Sequence, residues 1–239
     1  MIKLTKSSIL AAIAMAIALP QVSANSNTIR NLCTHPVWVH EFPTEKVYRL
    51  DAGQSGNYFL AEGPGVAFNF YTGCQDNTAV VCRTGGTRTD SGQTPFMRAE
   101  ASWDQNGVNL GYNISPLYGY NMSIKMWTGD TNSAMVCNIQ VACPVYGPDM
   151  SCYSPCCDKA EGCLGTNNCK DDGNIAHGAR GTYTGFYQEV CPDAYSFPDD
   201  GWNAGGRIVY LSGQSKDLFI DLCTSDKSTN RQTPKTSRK

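Results

Sequence analysis

Asn121-Met122-Ser123-Ile124-Lys125-Met126-Trp127 is the stretch on which the fold turns. Met122, Ile124 and Met126 fall on one side of an extended chain, and Asn121, Ser123 and Lys125 on the other, because successive strand side chains point to opposite faces. The stretch reads as a strand with one buried and one wet face. Residues 217–223 repeat the pattern: Leu218, Ile220 and Leu222 share one face, and Phe219, Asp221 and Cys223 the other.

Further strand signals lie at Val37–His40, Val66–Tyr71 and Arg207–Leu211, bounded by Gly, Pro, Asn or Asp. Their spacing suits a β-sandwich. Composition agrees. Gly and Pro make up 35 of 239 residues, which disfavours a helical protein because each interrupts helix interiors. Charged residues are 17% and hydrophobic ones 41%, a balance that folds rather than stays disordered.

Residues 1–24 stand apart. Lys3 and Lys6 precede the apolar run Ile9–Leu19, which is followed by Pro20 and the small-residue site Val22-Ser23-Ala24, the pattern of a secretory signal peptide. The run has 11 residues where a membrane-spanning helix needs about 20, and no later stretch qualifies. The expectation is a secreted, extracellular monomer with no membrane span.

All 12 cysteines follow residue 24: Cys33, Cys74, Cys82, Cys137, Cys143, Cys152, Cys156, Cys157, Cys163, Cys169, Cys191 and Cys223. An even count in an exported chain reads as six disulfides rather than as thiolate metal sites. Cys33 and Cys223, the outliers at either end, are natural partners; closing so long a loop contributes about 4–5 kcal/mol in the chain-entropy model. Residues 143–190 have weak periodicity, many cysteines and many Gly or Asn, and read as a bridge-held lobe without the apolar mass to fold alone. The tail, residues 224–239, has no apolar residue and reads as a disordered, basic end.

Several functions are excluded. His35, His40 and His177 are the only histidines, with no His-Glu-x-x-His spacing, so neither a zinc hydrolase nor any other metal or cofactor is expected. No Gly-x-Ser-x-Gly, no phosphate-binding loop and no basic aromatic patch is present, and nucleotide and nucleic-acid roles fall away.

Asn31-Leu32-Cys33 leading to Val37-Trp38, then Gly119-Tyr120-Asn121-Met122, then Cys191-Pro192-Asp193-Ala194-Tyr195-Ser196-Phe197-Pro198-Asp199-Asp200 together resemble the thaumatin-like proteins. The resemblance covers residues 29–223, and the Cys-Pro-x-Ala-Tyr-Ser-x-Pro-x-Asp motif is its most specific part. It implies a mainly β fold: an eleven-stranded thaumatin-like β-sandwich, a disulfide-rich second lobe at about 137–190, a small third domain, and a cleft between the first two. It also implies pairing of Cys33 with Cys223, of Cys74 with Cys82, and of Cys137 or Cys143 with Cys191. Members commonly have sixteen cysteines; this chain has 12, the mark of a divergent member.

The family cleft is usually acidic, with one Arg, one Glu and three Asp. By resemblance Glu100, in Ala99-Glu100, is the cleft Glu and Asp200 the final Asp of the motif. Asn113 and Tyr118 stand where two Asp belong, and the Arg position falls near Tyr71. Glu100 and Asp200 are therefore the candidate catalytic pair of a glycosidase, which needs two carboxyl groups at a defined separation. Binding needs less, because aromatic faces stack on sugar rings while amides and carboxylates hold hydroxyls. Tyr71, Tyr112, Asn113 and Tyr118 are the binding candidates. Asn113-Ile114-Ser115 and Asn121-Met122-Ser123 are glycosylation sequons, and a glycan on Asn113 would sit where the family cleft lies.

The expected function is that of a secreted thaumatin-like protein binding cell-wall polysaccharide, β-1,3-glucan foremost. The alternatives are a weak endo-β-1,3-glucanase, and an antifungal or host-directed interaction protein in defence or virulence whose partner is an extracellular host protein. The formal charge of −2 hides an uneven distribution. Without Lys3 and Lys6 it is −4, and setting aside the tail's five basic residues and Asp226 leaves −8 for residues 25–223.

Overall fold

The computed structural model describes residues 26–59, 65–87, 94–103, 109–129, 134–154, 184–196, 208–211 and 217–224. Residues 1–24, expected as a signal peptide, the tail from residue 225, Asp200 and the cysteines Cys156, Cys157, Cys163 and Cys169 lie outside these residues. The described chain is mainly β, with eleven strands in two sheets packed as a sandwich. They are β1 (Ser26–Asn31), β2 (Val37–Phe42), β3 (Lys46–Leu50), β4 (Ser55–Phe59), β5 (Val66–Thr72), β6 (Met97–Trp103), β7 (Leu110–Ser115), β8 (Ile124–Trp127), β9 (Met135–Cys137), β10 (Val209–Leu211) and β11 (Leu218–Leu222). One short helix, α1 (Thr184–Val190), buries Tyr187, whose hydroxyl donates to the Tyr153 carbonyl at 2.5 Å.

The smaller sheet runs β4-β1-β11-β8-β9 and the larger β10-β7-β6-β5-β2-β3. Neighbours are antiparallel except β1 and β11, which pair in parallel. Alternation places the core between the layers: Val66, Phe68 and Phe70 of β5, Met97 and Ala99 of β6, and Ile114 of β7 face Ile29, Ile124, Met126 and Ile220 of the smaller sheet. A second, smaller cluster of Trp38, Tyr71, Ala79 and Phe96 covers part of the larger sheet's outer face.

Four disulfides occur among the described residues: Cys33–Cys223, Cys74–Cys82, Cys137–Cys191 and Cys143–Cys152. Of the two candidates for Cys191, Cys137 is the partner, and Cys143 closes a short loop instead. The strand expected from Asn121 begins only at Ile124. Asn121 acts as a tie: its Nδ2 donates to the Phe70 carbonyl at 2.9 Å and to Thr84 Oγ1 at 2.8 Å, and its Oδ1 accepts from the Met97 amide at 2.9 Å. On β11 the expected wet face is only partly wet, because Asp221 is covered by a bidentate Arg30 and by the Trp127 indole N–H.

Candidate functional site

The outer face of the larger sheet carries the site. Strand register sets it out as two rows running across the strands, His40–Asn69–Arg98–Ser115 and Phe42–Ala67–Glu100–Asn113. On β6 the inward positions are Met97, Ala99, Ala101 and Trp103, so Arg98, Glu100 and Ser102 must point outward together. Over the second row lies a cavity of ≈ 410 Å³. Gly65, Ala67, Ser102 and Gly111 give it a low floor, Phe42, Pro43 and Ile208 form apolar borders, and Glu100 with Asn113 supply its polar groups.

Each Glu100 oxygen faces a donor: Oε2 accepts from Asn113 Nδ2 at 3.0 Å, and Oε1 lies 3.5 Å from Arg98 Nη1. Arg98 is mostly buried and held on several sides. Its Nε donates to Asn69 Oδ1 at 2.7 Å, and its guanidinium carbon lies 4.5 Å from the centre of the Tyr118 ring and 5.4 Å from that of Phe42. Tyr118 in turn stacks on Phe96, with centroids 4.8 Å apart and planes 12° from parallel. Two rings and the Asn69 side chain together bound the guanidinium and hold its charge beside Glu100.

The six expected site residues are distributed unevenly. Glu100 and Asn113 meet on the cavity wall, and Tyr118 lies one step away through Arg98. Tyr112 is 1% exposed and points into the sandwich core; Tyr71 is on the outer face but fully buried beneath Phe96. Neither presents a ring face to a sugar. Asp200 lies outside the described residues, and no Glu100–Asp200 separation follows. Of the two sequons, Asn121 has both Nδ2 hydrogens engaged, so a glycan there would displace one of those bonds, whereas Asn113 has one engaged, with Glu100.

Sequence reasoning missed Arg98. It placed the family's Arg position near Tyr71; once β6 is known to start at Met97, a residue two before Glu100 must share its face.

The two-layer β-sandwich with disulfide-tied ends is a thaumatin-like fold. The chain belongs to the Thaumatin family, whose sequence profile matches residues 31–224. It is 27% identical over 205 residues to a Zea mays protein named alpha-amylase/trypsin inhibitor, covering 72% of this chain and 89% of that one. It is also 27% identical over 207 residues to pathogenesis-related thaumatin-like protein 3.8 of Cryptomeria japonica, covering 80% and 87%. Among solved structures, the protein elicitor MoHrip2 of Magnaporthe oryzae aligns with a TM-score of 0.41 at 15% identity, over 84% of this chain and 100% of that one. The thaumatin-like xylanase inhibitor TLXI aligns with a TM-score of 0.44 at 16% identity, over 83% and 99%.

Proposed function

We propose that this is a secreted thaumatin-like protein that binds cell-wall polysaccharide, β-1,3-glucan foremost, in the cavity over β5, β6 and β7. The observation that carries this reading is the triplet Arg98–Glu100–Asn113 beside a floor of small residues. A sugar ring can lie flat on Gly65, Ala67 and Gly111, which have little or no side chain to obstruct it. Glu100 and the second Nδ2 hydrogen of Asn113 then supply an acceptor and a donor for hydroxyl groups, with Phe42 as an apolar edge. The same triplet favours binding over hydrolysis. A general acid must aim a carboxyl proton at the glycosidic oxygen, and both Glu100 oxygens already face donors.

Sedimentation with insoluble β-1,3-glucan tests this. The wild-type chain should pellet with the polymer, and Glu100→Ala and Asn113→Ala should each weaken retention, by about tenfold for the charged acceptor. A wild-type chain that stays in the supernatant, or variants retained as well as wild type, would show that this cavity does not hold the glucan. Release of reducing sugar that disappears in Glu100→Gln and in Asp200→Asn would instead establish the glucanase reading.

One observation favours a second reading, contact with another extracellular protein. Val141, Tyr146 and Met150 are 58%, 45% and 70% exposed on the segment that includes the Cys143–Cys152 loop, a concentration of apolar surface distant in sequence from the cavity residues. The inhibitor name of the Zea mays relative points the same way.

A further inference from the structure

Arg98 is the end of a chain of hydrogen bonds that crosses the sheet to an exposed turn. Arg98 Nε donates to Asn69 Oδ1 at 2.7 Å, Asn69 Nδ2 donates to the Tyr71 hydroxyl oxygen at 3.1 Å, that hydroxyl lies 3.0 Å from His40 Nδ1, and His40 Nε2 lies 2.8 Å from Glu45 Oε2. The chemistry of the two ends fixes the direction of the middle. A carboxylate accepts, so His40 Nε2 carries a proton toward Glu45. In a neutral imidazole Nδ1 then has only a lone pair, so the Tyr71 hydroxyl donates to it. Every donor points from Arg98 toward Glu45, an arrangement in which each bond polarises the next.

We infer that His40 and Tyr71 are positioning residues for the cavity: the neutral His40 side chain orients Tyr71, Tyr71 fixes Asn69, and Asn69 fixes the Arg98 guanidinium that sits against Glu100. Protonating His40 places a hydrogen on Nδ1, facing the Tyr71 oxygen. The Tyr71 hydroxyl hydrogen must then leave that line, and Tyr71 is fully buried with no second acceptor among the described residues. The Asn69 amide loses its fixed acceptor geometry, and Arg98 loses the anchor that sets its distance to Glu100. The consequence for ligand binding rests on the polysaccharide reading above; the positioning of Arg98 does not.

The groups facing His40 are consistent with a neutral resting ring. Glu45 approaches from the turn after β2, Tyr71 and Asn69 from β5, the Arg98 cation from β6, and the Phe42 ring lies 4.5 Å away on its own strand. The ring is 4% exposed, and burial pushes its proton affinity down; Glu45 opposes this and Arg98 adds to it.

The experiment is a titration of the full chain, disulfides intact, from about pH 7.5 downward until the His40 ring nitrogens report protonation, following them and the Arg98 Nε–H by nuclear magnetic resonance. A soluble β-1,3-glucan oligosaccharide is titrated in at each end of the range. The Arg98 signal should move with the same midpoint as His40, and oligosaccharide affinity should fall about fivefold once His40 is protonated. In Tyr71→Phe the Arg98 signal should stop following His40, and the affinity should become independent of pH at the weaker level. An Arg98 signal indifferent to His40 in the wild-type chain overturns the inference without recourse to any variant. So does an Arg98 signal that still follows His40 in Tyr71→Phe. If the two signals move together but no oligosaccharide binds at either pH, the positioning chain stands and the polysaccharide reading falls.

Discussion

Gly85 sits at φ +73, and a Cβ added there would overlap Cδ1 of the Tyr71 ring. Two separate costs meet at this one atom. A non-glycine residue in the left-handed region loses about 1 kcal/mol or more, and forcing an atom into packed space costs about 1–3 kcal/mol. Tyr71 cannot retreat, because Phe96 meets it edge-on at 5.2 Å and its hydroxyl is tied to His40 and Asn69. Gly85→Ala should therefore lower unfolding free energy by about 2–4 kcal/mol, read as a lower urea midpoint with unchanged slope. A midpoint within about 0.5 kcal/mol of wild type would mean that the 84–87 turn moves away from Tyr71 without cost. None of this was visible in the sequence. Tyr71 was read as a ligand-facing aromatic because it lies near the family's Arg position, and nothing local in Asn69-Phe70-Tyr71-Thr72 reveals that Gly85 and Phe96 close over it.

At the scale of elements, five of the eleven described strands were legible and six were missed. β2, β5, β8, β10 and β11 were located to within a few residues, because their inward positions carry large apolar side chains or β-branched ones. β1, β3, β4, β6, β7 and β9 were not: Lys46–Leu50 and Ser55–Phe59 lie at the edges of their sheets, and Met97–Trp103 alternates but carries alanine at two of its four buried positions, which weakens the signal. The link between the chain's two ends was legible from the cysteines. β1 and β11 are parallel neighbours near opposite ends of the sequence, and Cys33–Cys223, separated by 190 residues, ties their exits together. In the unfolded chain that bridge removes far more freedom than Cys143–Cys152, separated by 9. Replacing Cys33 and Cys223 together by Ser should cost about 5 kcal/mol, against about 2.5 kcal/mol for Cys143 with Cys152, measured as denaturant midpoints on oxidised protein. An equal loss from the two pairs would place their contribution in native contacts rather than in chain entropy.

For the molecule as a whole, the candidate site was half legible. Glu100 and Asn113 were named from motif positions, and the sheet brings them to 3.0 Å of each other; Arg98 and the His40 chain arise from pairings between strands distant in sequence, which no local pattern encodes. That buried histidine also gives the whole fold a pH dependence whose sign can be worked out. His40 in the folded protein binds its proton less readily than the ordinary imidazole value of about 6.5, chiefly through burial. Above that ordinary value both folded and unfolded chains carry a neutral ring, and His40 leaves stability unchanged. As pH falls below it, the unfolded chain takes up a proton that the folded chain does not, so stability declines, by at most about 1.4 kcal/mol per pH unit for one proton. The decline ends at the lowered folded-state value, below which both states are protonated and the loss is constant. Thermal midpoints should thus drop as pH falls below about 6.5, and His40→Gln, which cannot take up the proton, should show a shallower slope over the same interval. A His40→Gln slope as steep as wild type would assign the acid sensitivity to other groups. A wild-type midpoint that rises on acidification would mean that Glu45 outweighs burial and holds the ring charged in the fold, and the Tyr71 hydroxyl would then be turned away from His40 already at neutral pH.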